Sequence, residues 1–405
     1  MSGRRGATLR WSQLGAAYRQ AVLVLLGLGV TLPIFLAPGH VSGPRLGDLA
    51  LAVALPLAVM EWRRMTPALK TAGPVAAAFL TVTLLLQASQ VGERLNAGDG
   101  AFWFRWIVAA LVAPAAASLI VRDERRRRLF FASILIGAAC HLATYGLALL
   151  VGLERLQDVG LASPRALLTT TAAQIRLTTL AEHPNAAMAM IGLAVPAGVI
   201  LAGRRWGGRP TTLAGGGLAI LGFLSTLSRG GMLAAVTACL VRVVVGWRWR
   251  ERARPLGVVL AVCVLGGGVL AMQAGIDDAR FAGRFDRAAL EENLAGRVAT
   301  WGRTVGLVFQ RPMGAGWSSA DEMGAFRALS VSHNGYLFMA RTVGVIAALV
   351  MLGLHLWSAA RLDALTPLSV YLLMTLFSED LTQGAGFVFL SCLVAALAWR
   401  RPVAP

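Results

Sequence analysis

Charge is scarce in this chain: charged residues make up 14% of its 405 positions and hydrophobic ones 57%, and the mean hydropathy is +0.65. A soluble domain is thereby excluded, because repeated apolar runs of near membrane-spanning length have no stable fold in water. The four cysteines, Cys140, Cys239, Cys263 and Cys392, all fall inside apolar runs and form no CxxC pair. They indicate no disulfide framework or redox centre and read as ordinary buried residues. HxxH, HExxH and DxD spacings are missing, so no metal is expected, and neither a GxSxG element nor a Gly-Lys-Ser phosphate loop is present. The apolar run that follows the basic segment Met1 to Arg19 lacks a small-residue cleavage site and reads as a retained first span. A formal charge of +18 would suit nucleic acid. In a membrane protein, however, arginine gathers in cytoplasmic loops for topological reasons, and no nucleic-acid partner is expected.

What the chain does have is hydrophobic segments. A span needs about 20 mostly apolar residues to cross a hydrocarbon core ~30 Å thick. On that rule the sequence predicts about twelve: Gln20 to Ala37, Leu46 to Met60, Thr71 to Ser89, Ala101 to Val121, Leu129 to Gly152, Asn185 to Gly203, Thr211 to Leu227, Gly230 to Gly246, Pro255 to Gly275, Tyr336 to Ser358, Thr366 to Leu381 and Gly384 to Trp399. The fold class is therefore all-α, a polytopic integral membrane protein among membrane lipids. Basic clusters such as Arg63, Arg64 and Lys70, or Arg122 with Arg125 to Arg128, all fall in alternate loops or at the termini. That parity places both termini in the cytoplasm and the other loops outside, in the periplasm of a bacterial inner membrane. Three regions follow: 1–274 with the first nine spans and a smaller external loop at 153–184, an external segment at 275–335 containing short helices, and 336–405 with the last three spans.

The segment from Gly275 to Gly335 carries seven arginines and seven acidic residues, and most of these charges are expected to be paired or solvated. Ala295 to Gln310 reads as a helix with Arg297, Trp301, Val305 and Val308 on one stripe. Pro312, Gly314 and Gly316 end that helix, and a second short helix is expected over Ala320 to Leu329. Five places could carry chemistry. Arg229 stands before Gly230 and Gly231 at a span junction, where glycines would let a ligand approach the backbone. Arg297 would face the membrane side of the segment, towards a phosphate or an acid. His333, beside Asn334 at the mouth of a span, suits proton abstraction from a hydroxyl, and Asn334 would fix its ring or bind a sugar. His183-Pro184-Asn185 repeats that theme, although Pro184 there would also begin a helix, and Glu379-Asp380 forms an acidic pair between the last two spans.

Leu227-Ser228-Arg229-Gly230-Gly231, Gly296-Arg297 with Trp301, Arg311-Pro312-Met313-Gly314-Ala315-Gly316, and His333-Asn334-Gly335-Tyr336 with Gly344 together resemble the O-antigen ligase family in order and placement. His183-Pro184-Asn185 is similar to the family's Asn-containing element, and Ala347 departs from it at a packing position. The resemblance implies a glycosyltransferase that moves an O-antigen glycan from undecaprenyl diphosphate to a sugar hydroxyl of the lipid A-core, with inversion and without nucleotide, metal or other cofactor. It implies catalytic roles for Arg229, Arg297 and His333 and a substrate contact from Asp380. Asn334, Asn185, Trp301, Arg176 and Arg284 are further candidates for substrate binding, and which of the external arginines meet the diphosphate stays open. A lateral cleft beneath the external segment would admit the polyprenyl chain. Other acceptors remain open too, since related enzymes polymerise O-antigen repeats or glycosylate protein. A lipid-linked glycan transporter is the competing class; it would carry mid-membrane charge and internal repeats, neither of which is evident here.

Overall fold

A computed structural model describes residues 3–38, 44–91, 97–164, 168–171, 174–181, 183–202, 209–226, 228–244, 287–314, 334–361, 365–379, 381 and 384–399. In chain order the elements are α1 (Gly3–Thr31), α2 (Leu46–Glu61) with a following 3₁₀ turn (Trp62–Arg64), α3 (Pro67–Val91), α4 (Ala97–Arg122), α5 (Glu124–Val151) and α6 (Leu153–Asp158). Strands β1 (Leu168–Thr171) and β2 (Gln174–Leu177) come next, then α7 (Pro184–Gly192), α8 (Ala194–Ala202), α9 (Arg209–Thr226) and α10 (Arg229–Val244). The later helices are α11 (Arg287–Gln310), α12 (Gly335–Thr342), α13 (Val345–Ala360), α14 (Thr366–Ser378) and α15 (Ala385–Trp399).

Five segments among the described residues are long and apolar enough to cross a membrane: Gln13–Thr31, Pro67–Leu86, Gly100–Arg122, Glu124–Val151 and Pro184–Ala202. Shorter apolar helices cover Gly230–Val241, Val345–Ala360, Thr366–Ser378 and Ala385–Trp399. The chain is a multi-pass, almost entirely helical membrane protein, and helices stand at eleven of the twelve predicted segments. The ninth predicted span, Pro255 to Gly275, lies outside the described residues, as does the second short helix expected over Ala320 to Leu329.

Several boundaries differ from the sequence reading for identifiable reasons. The first helix stops at Thr31 and not at Ala37; Pro33 lies just beyond, and a proline cannot continue a helical ladder and disfavours helix in the residue before it. The fifth starts at Glu124, five residues early, because the Asp123 carboxylate accepts from the backbone N–H of Arg125 and Arg126 and caps it. The loop at 153–184 is not wholly irregular: it holds α6 and an antiparallel hairpin in which Thr169 stands opposite Arg176. Cys140, expected to be buried, is exposed on α5, on a face that apolar surroundings would cover. Cys239 is half-buried, Cys392 is buried, and Cys263 lies outside the described residues.

Helices in a bilayer gain little from hydrophobic burial against one another, so close van der Waals contact and interhelical hydrogen bonds decide who packs with whom. Helix α1 lies along α5, where His141 Nδ1 donates to the Thr31 carbonyl at 2.8 Å. Helix α4 packs against α2, α3 and α15 and carries the buried Trp103 and Trp106. A Cβ at Gly215 would fall 2.3 Å from the Ala194 carbonyl, so the small residues of α9 do let it press against α8. Helix α14 is tied to α7 by Tyr371, whose hydroxyl donates to the Ala189 carbonyl at 2.8 Å.

Two predicted spans are broken in the middle. The sixth divides into α7 and α8 at Leu193, and the tenth divides into α12 and α13 at Gly344. Gly344 has φ +115°, and a Cβ there would sit 3.0 Å from the Met313 carbonyl group. The Val345 N–H donates to the Pro312 carbonyl at 2.9 Å, so the end of α11 docks into this break. Gly344→Ala should therefore strain the backbone by about 1–2 kcal/mol and push α11 away from α13. A melting temperature in detergent equal to that of the wild type would contradict this.

Candidate active site

Local sequence positions each part. His183 caps α7, its Nδ1 accepting from the Asn185 N–H at 3.2 Å, and Pro184 occupies the first helical position, where a missing N–H costs nothing. Asn185 is thus held on the first turn and buried. At the end of α14 the chain turns extended at Glu379, with φ −148° and ψ 152°, while the Glu379 N–H still donates to the Thr375 carbonyl at 2.8 Å. This carries the Glu379 side chain back towards the bundle, where the residue is only 6% exposed. On α11, Arg297 reaches the same point.

The three side chains meet on one oxygen. Asn185 Nδ2 donates to Glu379 Oε1 at 2.5 Å, and Arg297 Nη2 donates to that oxygen at 3.2 Å. Arg297 Nη1 also donates to the Ser378 carbonyl at 3.1 Å, so the guanidinium spans a backbone oxygen and a carboxylate. The Arg297 side chain keeps 25% of its surface accessible, against 8% for Glu379. A carboxylate removed from water needs such partners, because desolvation without them costs several kcal/mol.

Helix α10 enters here as well. A Cβ at Gly230 would lie 3.0 Å from Ser378 Oγ, and one at Gly231 would lie 2.5 Å from Met188 Cγ. The two glycines, read from sequence as making room for a ligand, instead let the first turn of α10 approach α14 and α7. Arg229 opens α10 beside the Arg297–Glu379 pair along the backbone; its side chain lies outside the described residues.

The start of α12 is fixed by a second network. The Asn334 Oδ1 accepts from the Tyr336 and Leu337 N–H groups, both at 3.0 Å, and caps the helix. That oxygen serves the backbone, which leaves the amide nitrogen as the part of Asn334 that could meet the histidine ring or a sugar. The Tyr336 hydroxyl donates to His355 Nδ1 at 2.8 Å, and His355 Nε2 donates to the Ser391 carbonyl at 3.2 Å. The Tyr336 ring lies 5.1 Å from that of Phe377, two residues before Glu379. Tyr336, three residues after His333, is thereby pinned to α13, through it to α15, and to the end of α14.

Of the predicted site residues, the structure brings together Arg297 and Asn185. It places Trp301 one turn beyond Arg297, half-buried. The inward stripe of α11 runs through Thr304 and Val308, both buried, while Val305 is 38% exposed; a 4-3-4 spacing from Arg297 keeps one face where the predicted second step, from Trp301 to Val305, drifts off it. His333, Asp380 and Arg284 lie outside the described residues, as does the roof of the expected cleft, and Arg176 is placed only by its backbone on β2. Sequence reasoning named the acidic pair at 379–380 but carried Asp380 forward; Glu379 is the partner of Arg297. The available signal was the end of a span immediately before it.

Residues 214–352 match the family model for O-antigen ligase. The match supports the resemblance seen in the motifs and covers about a third of the chain, including Arg229, Arg297, Trp301, His333 and Asn334. Asn185 and Glu379 lie beyond it, on helices that the fold brings to the matched segment. The family implies glycosyl transfer and lipid-linked polysaccharide substrates in general. No curated protein matches the chain significantly.

Arg297 and Glu379, with Asn185 on the same oxygen, form one ion-paired cluster across three helices. Glu379→Ala and Arg297→Ala should each destabilise the protein, whereas the double substitution should be no worse than the poorer single one, a coupling of about 1–3 kcal/mol. Melting temperatures of the four proteins in one detergent check this, and additive losses would show that the pair is not coupled.

Proposed function

We propose that the protein is an O-antigen ligase: it transfers a glycan from undecaprenyl diphosphate to a lipid A-core sugar hydroxyl at the periplasmic face of a bacterial inner membrane. The observation that supports this best is the convergence of Arg297, Asn185 and Glu379, far apart in sequence, beside the first turn of α10 that begins with Arg229.

In the proposed reaction the acceptor hydroxyl attacks the anomeric carbon, its C–O bond forms as the bond to the diphosphate oxygen breaks, and the centre inverts. The hydroxyl proton passes to His333. Negative charge builds on the departing diphosphate and is met by the guanidiniums of Arg297 and Arg229, whose planar forks match phosphate oxygens in a bidentate manner. Arg297 is a positioned donor here: Glu379 and the Ser378 carbonyl fix two of its nitrogens, and its remaining exposed surface faces the substrate. Asn185 orients Glu379. Trp301, Arg176, Arg284 and Asp380 are proposed as glycan or phosphate contacts around this centre, and both chain termini as cytoplasmic.

Purified protein in detergent with chelator present should transfer glycan from an undecaprenyl-diphosphate donor to lipid A-core. Arg297→Ala and His333→Ala should each lower the rate by about 30- to 1000-fold, the loss expected for removing one charged donor or base. Product on a second lipid-linked glycan alone would make the protein a polymerase, and no product on either acceptor would favour a transporter.

A further inference from the structure

A second charged centre lies at the other end of the bundle. Helix α5 runs from Glu124 to Val151, about 40 Å at 1.5 Å per residue, and the chain then passes through α6 and the hairpin to Asn185. The start of α5 is therefore on the bilayer surface opposite the Arg297–Glu379 pair. A cavity of about 590 Å³ opens there, lined by Glu61, Arg64, Arg122, Asp123, Glu124 and Arg126.

The carboxylates of this cavity are already taken. Glu61 is fully buried and holds Arg19 at 2.5 Å, Arg122 at 3.1 Å and Arg64 at 3.6 Å, from α1, α4 and the 3₁₀ turn. Asp123 pairs with Arg126 at 3.2 Å, and Glu124 pairs with Arg128 at 3.0 Å and with Arg127. Six guanidiniums thus serve three carboxylates; the lining itself holds three of each, and Arg19, Arg127 and Arg128 around it make the surroundings positive. Arg64 and Arg122 keep 54% and 43% of their side chains accessible.

The rule that arginine stays on the cytoplasmic side explains how many arginines this surface has. It does not explain why three of them, from separate elements, crowd one buried carboxylate beneath an open cavity. On α2 and the turn that carry Glu61 and Arg64, Val59 is 78% exposed and Trp62 is 43% exposed, with Met60 and Glu61 between them in the chain. Apolar and indole surface at this level is what acyl chains and the headgroup boundary cover.

We propose that this cavity binds the phosphate of an anionic phospholipid, with Arg64 and Arg126 facing the phosphate and the acyl chains running along Val59 and Trp62. Free phosphate shares the headgroup's chemistry but has nothing to place on that apolar flank. A zwitterionic lipid would leave the excess positive charge uncompensated. The site is independent of the transfer reaction proposed above.

The test is titration of the detergent-purified full-length protein with phosphatidylglycerol, phosphatidylcholine or inorganic phosphate, read as bound adducts by native mass spectrometry. Phosphatidylglycerol should bind, and Arg64→Gln/Arg126→Gln should weaken it about tenfold more than Arg125→Gln/Arg128→Gln, which removes the same charge outside the cavity lining. Arg19 and Arg122 are left intact in these variants so that Glu61 keeps its two nearer partners. As a second readout, phosphatidylglycerol should raise the melting temperature of the wild type and of the Arg125/Arg128 variant but not of the Arg64/Arg126 variant. Equal weakening in the two variants would overturn the pocket in favour of diffuse surface charge. Binding of phosphatidylcholine or inorganic phosphate as strong as that of phosphatidylglycerol would overturn the lipid assignment, and no binding would overturn the site.

Discussion

A carboxylate taken out of water at the edge of a membrane bundle must be surrounded by donors, and Glu379 is one such group. Its two side-chain donors come from α7 and α11, and its own position depends on the end of α14, against which α10 is pressed through Gly230. Four helices are thus committed to one small volume by a single acid. The commitment is specific as well as stabilising, since sliding any of the four by one turn would move its contribution by about 5 Å and leave charge unpaired.

Much of the fold was legible in the sequence because a bilayer allows few solutions. An apolar run of spanning length must be a helix, and runs from Ala101 to Val121 or Leu129 to Gly152 leave no other reading. The break at Gly344 was not legible, because it depends on Pro312 and Met313 arriving from another helix. Asp123 as a cap was legible in principle, as an acid directly before a basic, helix-forming run.

The site divides in the same way. Arg297 stood out because an arginine on an otherwise apolar stripe needs a partner, and the structure supplies one. Which acid of the 379–380 pair would serve was beyond the sequence, since it turns on one extended residue after α14. Asn334 shows the converse: its chemistry suited a ligand, but its oxygen answers a local backbone need first. Glycines at 230 and 231 were read for the ligand and belong to helix packing.

The pairing of Arg297 with Glu379 has a consequence for selectivity. Because the guanidinium already has a counter-charge, the resting centre is close to neutral, and a passing small anion gains little by entering it. To gain from the arginine while Glu379 still holds it, a ligand must offer more than one oxygen and more than one negative charge in the geometry of the fork. Such a centre discriminates by competition: the internal carboxylate sets the threshold that an incoming group has to exceed.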